Sequence, residues 1–153
     1  MVSCSSIFIM KSKNEMENFQ KLNIFQVSLI AAILASVSNT VLFFVSKIFD
    51  ISLLVPSFFE TGLASLQLGK ILLATTLPAF LAGFIFWTMK KIFKKNAIKD
   101  FLVVCSGFLL FSLGSPILLS ITLTAKIFLV TMHIFTAFFI GITFYNYDTS
   151  TKK

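Results

Sequence analysis

The sequence predicts an all-α fold, an antiparallel bundle of four membrane-spanning helices, and three observations predict it. Of 153 residues, 57% are hydrophobic and 12% charged, whereas soluble domains run roughly 45–50% apolar and about 25% charged. Four apolar runs approach or reach the roughly 20 residues that a helix needs to cross the hydrocarbon. The cations gather in the segments between those runs. Such a composition argues against a water-soluble enzyme and for a single domain solvated largely by lipid.

The elements follow in order. Residues 1–23 form a polar tail with no signal-peptide core, so the first apolar run is expected to stay in the mature protein. That run, Ile24 to Ile48, carries no charge before Lys47. In residues 49–69 the stretch Ile51 to Phe59 is apolar but too short to cross. It is expected to be an interfacial or re-entrant loop with Phe58 and Phe59 at headgroup level. The second span, about 71–89, is bounded by Lys70 on one side and by Lys90 and Lys91 on the other. Pro78 within it predicts a kink, with Thr75 and Thr76 nearby to satisfy the freed backbone groups.

The third span covers about 101–119 and the fourth about 125–145. A single helix from Pro116 to Tyr145 would measure roughly 45 Å at 1.5 Å per residue, against a hydrocarbon core of about 30 Å. A turn must therefore fall inside this stretch. Gly114, Ser115 and Pro116 mark the end of one helix, and Ser120 to Thr124 supply the polar groups of the turn. Lys126, in the first turn of the last helix, is expected to snorkel or to pair with Asp50 or Glu60. The transmembrane domain is thus 24–146, with 147–153 a short tail.

Orientation follows from the lysines. Lys11, Lys13 and Lys21, the central group from Lys90 to Lys99, and Lys152 and Lys153 share one side, leaving Lys47, Lys70 and Lys126 on the other. The positive-inside rule then places both termini and the central loop in the cytoplasm, with Trp87, Tyr145 and Tyr147 at the inner interface. The net charge of +7 comes entirely from Lys, with no Arg in the chain. That pattern fits membrane topology rather than nucleic-acid binding, which favours Arg clustered on one face. Cys4 and Cys105 form neither a CxxC pair nor a disulfide framework.

Polar residues inside hydrocarbon are the informative ones, because unpaired polar groups there are costly and turn toward the bundle interior. In the first helix Ser28, Ala32, Ser36 and Thr40 recur at four-residue spacing, a small-residue face suited to close helix packing or to a ligand groove. Counting helical rise places Asn39, Pro78, Ser112 and His133 near one depth, with Thr75 and Thr76 a little further out. These residues are read as an intramembrane polar layer, with an Asn39 to His133 contact, direct or through water. His133, the only histidine, is a candidate proton carrier or headgroup contact, or simply a residue that holds helices in register. No second His, paired carboxylate or cysteine pair accompanies it, so no metal and no cofactor are expected. Ser112 and Ser115 lack an acid to orient a base, so catalysis is not expected.

Asn39 in the first span, Ser112 with Ser115 and Pro116 ending the third, and Met132 and His133 in the fourth resemble a family pattern. It is that of uncharacterised bacterial four-helix integral membrane proteins classed as domains of unknown function. The resemblance spans about 24–145. It implies four spans, tails on the inside and a bacterial plasma or inner membrane, and it carries no activity, substrate or catalytic residue. Two roles remain open. One is a noncatalytic bundle that packs against a second copy or another membrane protein. The other is a small transporter, channel or lipid-binding protein working through the polar layer around His133.

Overall fold

The computed structural model describes residues 22–56, 63–93, 96–119 and 121–151. Among the described residues are four helices: α1 (Ile24–Ile48), α2 (Leu68–Phe93), α3 (Ala97–Leu118) and α4 (Leu123–Thr151). All four are long and apolar enough to cross a membrane. The chain therefore folds as an all-α four-helix bundle.

Local chemistry sets the helix boundaries. Asn23 and Gln26 form a reciprocal capping box: Gln26 N–H donates to Asn23 Oδ1, and Asn23 N–H donates to Gln26 Oε1, both at 2.9 Å. Two N–H groups that the helix itself cannot satisfy are thereby paired. At the other end of α1, Ile51 N–H donates to the Ser46 carbonyl at 2.8 Å and Asp50 N–H to Lys47 at 3.2 Å. With Asp50 at φ 51°, this is a Schellman ending built on a non-glycine residue.

In residues 49–69, expected as an interfacial or re-entrant loop, the described part forms a short antiparallel ribbon, β1 (Leu54–Pro56) with β2 (Leu63–Ser65). Cross-strand pairing satisfies backbone groups that an irregular apolar segment would leave bare. Phe58 and Phe59 lie outside the described residues. Leu53, just before the ribbon, is buried with Phe43, Ile71, Ala125, Leu129 and Met132, which anchors the ribbon over one end of the bundle.

α2 runs unbroken through Pro78. The Thr75 hydroxyl donates to the Ile71 and Leu72 carbonyls, at 2.9 and 3.2 Å, rather than to that of Ala74, which Pro78 deprives of its donor. Lys126 forms no ion pair with Asp50, and Glu60 lies outside the described residues. Lys126 Nζ donates to the Ile117 carbonyl at 2.9 Å, placing a cation at the C-terminal end of α3, where the helix dipole favours it. Residues 147–151, expected as tail, continue α4, with Asp148 fully buried and 3.4 Å from Lys90 Nζ. The same ammonium lies 4.7 Å from the Tyr147 ring centre.

Around the bundle α1 packs on α2 and α4, and α3 packs on α4 and α2, so α2 and α4 meet only sparsely across the diagonal. The cross-helix pairs run in opposite directions. Ser28 meets Gly83 while Ser36 meets Thr75, so α1 and α2 are antiparallel. The core divides into two. At the Lys90 end Phe86, Phe101 and Phe144 form a fully buried triad with ring centres 5.1–5.2 Å apart. At the ribbon end lies the Phe43 and Met132 cluster.

Candidate functional site

Between the two cores lies a cavity of about 400 Å³, within the roughly 300–1,000 Å³ range of small-molecule sites. Its position follows from how α3 packs. Ala97, Ile98 and Phe101 bury one end of that helix and Pro116 the other, and no residue between them is buried. With α3 held only at its ends, space opens beside α2 and α4. Leu77 of α2 and Phe108 of α3, 60% and 55% exposed, both line it, so the cavity opens to the exterior between these helices. Val55 of the ribbon and Leu66, just beyond it, contribute to the wall.

Asn39, Thr75, Ser112 and His133 all line this cavity, whereas Thr76 does not. The expected Asn39 to His133 contact is not formed directly. Asn39 Nδ2 instead donates to Thr136 Oγ1 at 2.8 Å, and His133 Nδ1 lies 2.7 Å from the Leu129 carbonyl of its own helix. Since a carbonyl can only accept, Nδ1 carries a proton, and in the tautomer with that proton alone Nε2 is an acceptor. Asn39 is 3% exposed, and its Oδ1 accepts no hydrogen bond among the described residues. The Thr136 hydroxyl donates to the Met132 carbonyl at 2.9 Å, so its oxygen must accept from Asn39, which fixes the amide orientation.

The small-residue face of α1 turns inward only in part. Ser28 and Ala32 are buried, but Ser36 and Thr40 are half-buried, and the buried row continues through Ala35, Asn39, Phe43 and Ser46. A four-residue step over-rotates a helix of 3.6 residues per turn by roughly 40°, so a strict four-residue series drifts off the contact line. Rows that alternate steps of three and four stay on it. Ser28 packs against Gly83, and Ser36 Oγ lies 2.8 Å from Thr75 Oγ1, so this face is spent on the seam with α2.

Sequence reasoning missed Thr136 and Cys105 as wall residues, and it read Pro116 as a helix end, whereas α3 runs on to Leu118. Thr136 lies one turn from His133, which puts it on the same face. Pro78 and Pro116 each withhold an N–H from the carbonyl four residues earlier, that of Ala74 and that of Ser112, and both residues belong to the cavity wall. Two prolines each four residues beyond a wall residue were the available signal. No group of three His, Cys, Asp or Glu side chains among the described residues could hold a metal ion.

No curated protein and no solved structure matches the chain. A family described as "Family of unknown function (DUF6069)" matches residues 20–148, a range that takes in the four helices up to Asp148, the ribbon and the whole cavity wall. The chain therefore belongs to this family of unknown function.

Proposed function

We propose that the protein is a noncatalytic multi-pass membrane protein, with both termini in the cytoplasm, that shelters a small amphiphile drawn from the surrounding lipid. The observation that carries this reading is the lateral mouth of the cavity between Leu77 and Phe108. A site entered from the side, through apolar walls, takes its occupant from the hydrocarbon rather than from water. Asn39 and His133 then serve as polar contacts for one end of that occupant.

The geometry favours this role over a pore. One end of the bundle is filled by the Phe86, Phe101 and Phe144 triad, and the other is covered by Leu53 and the ribbon. It also favours it over partner binding through the small-residue face of α1, because that face is already packed on Gly83 and Thr75.

The test is photolabelling in phosphatidylcholine nanodiscs with the methyl ether of a diazirine-bearing dodecanol. Saturable labelling of peptides from α2, α3 and α4 is expected, with a sharp fall in Ala137→Phe, which puts a ring into the cavity wall. Labelling that never saturates and is spread evenly around the bundle would reject the reading.

A further inference from the structure

The polar groups of the cavity also specify the head of its occupant. We infer that the site accepts a neutral lipophilic alcohol, whose hydroxyl donates to Asn39 Oδ1. This rests on the amphiphile reading above and narrows it.

The wall offers chiefly acceptors, its spare donors being the second Asn39 Nδ2 hydrogen and the weak Cys105 thiol. The Ser112 and Thr136 hydroxyls donate to carbonyls of their own helices, Leu109 at 2.8 Å and Met132 at 2.9 Å, and the Thr75 hydroxyl is engaged by the Ile71 carbonyl at 2.9 Å and by Ser36 Oγ at 2.8 Å. His133 spends its Nδ1 proton on Leu129, which leaves Nε2 as a lone pair in the tautomer with that proton alone. Asn39, buried and held by Thr136, has a carbonyl oxygen that no described residue satisfies. The Ala74 and Ser112 carbonyls lack their usual helical donor because of Pro78 and Pro116. A buried acceptor left unmatched is costly, so the fitting ligand brings a donor.

Charge narrows the class further. No Asp, Glu, Lys or Arg lines the cavity. A phosphate or ammonium head would lose its hydration there with no opposite charge to replace it. The remainder of the wall, with Leu77, Leu81, Val104, Phe108 and Leu109, suits an alkyl or isoprenoid body. A neutral hydroxyl on an apolar chain satisfies both parts of the wall.

The experiment compares diazirine-bearing dodecanol with its methyl ether on wild-type protein in phosphatidylcholine nanodiscs, with concentrations expressed as mole fraction of lipid. The ether keeps the oxygen and the chain but cannot donate. Half-saturation by the alcohol is expected at a roughly tenfold lower mole fraction, the size of one buried acceptor being satisfied. Geraniol should compete with the label and geranyl methyl ether should compete poorly. In Asn39→Leu the two probes are expected to converge. Asn39→Ala serves as a second variant should the first fail to fold, and the wild-type comparison needs neither. Equal half-saturation by alcohol and ether in wild type overturns the inference and leaves the amphiphile reading standing. A preference that survives both Asn39 variants overturns the assignment to Asn39. Failure of either probe to saturate rejects the amphiphile reading itself, and the inference with it.

Discussion

At Asn39 the demands of packing and of binding diverge. Its single hydrogen bond within the described residues runs to Thr136, and its buried Oδ1 accepts none. The two partners of that bond are therefore not equivalent under substitution. Thr136→Val strips the amide of its only acceptor and isolates both ends, which should lower stability by about 1–2 kcal/mol. Asn39→Leu takes the unsatisfied carbonyl away with it, while Thr136 keeps its bond to Met132, so stability should stay within about 1 kcal/mol of wild type or rise. Thermal unfolding in a mild detergent measures both, and equal losses would contradict the asymmetry. Asn39 is legible in the sequence because an amide inside an apolar run must face the interior. Its partner is not. His133 and Thr136 differ by only about 4.5 Å of helical rise, less than the uncertainty of placing a span end from hydropathy, and Thr131 and Thr143 offer further hydroxyls on the same helix.

The seam between α1 and α2 is set by Gly83. A Cβ added there would collide with Ser28 Oγ, which donates to the Ile24 carbonyl at 2.9 Å. Gly83→Ala must rotate the hydroxyl out of that bond or push the helices apart, and is expected to cost about 1–2 kcal/mol. Ser28→Ala removes the colliding oxygen, so the double variant should recover most of the loss. Strictly additive effects in the four-protein cycle would refute direct contact. The end of the same helix provides another test. Asp50 holds φ 51°, a region that glycine enters freely and β-branched residues resist. Asp50→Gly should be neutral or stabilising by up to about 1 kcal/mol, and Asp50→Val should destabilise by about 1–2 kcal/mol, both read from the unfolding midpoint. Helices of this kind can be located from sequence because hydrocarbon demands an uninterrupted apolar run. The ribbon cannot, since three-residue strands such as Leu54–Pro56 carry too little pattern to separate them from an apolar loop.

Over the whole molecule, what sequence reveals and what it hides have a common cause. The bundle is apolar outside as well as within, as helices facing hydrocarbon require: Phe111 and Leu118 are 86% and 84% exposed, while Phe101 and Phe144 are fully buried. Hydropathy therefore finds the four spans but cannot show which face of α3 packs or that its middle stands away from the core. The cavity, a product of that packing, was beyond the reach of pattern, although four of its wall residues stood out as polar. The lysines carry the remaining information about orientation. With Cys4 and Cys105 replaced by Ala, cysteines introduced one at a time as Lys94→Cys, Ser120→Cys and Lys153→Cys report the side of each connection. An impermeant maleimide added to intact cells should label Ser120→Cys alone, and the other two only after the membrane is opened. Lys94 and Ser120 flank α3, so labelling of both from one side would deny that this helix crosses at all. The reverse pattern would keep four spans but invert the bundle, placing the lysine-rich Lys90 end outside against the charge bias that orients membrane helices.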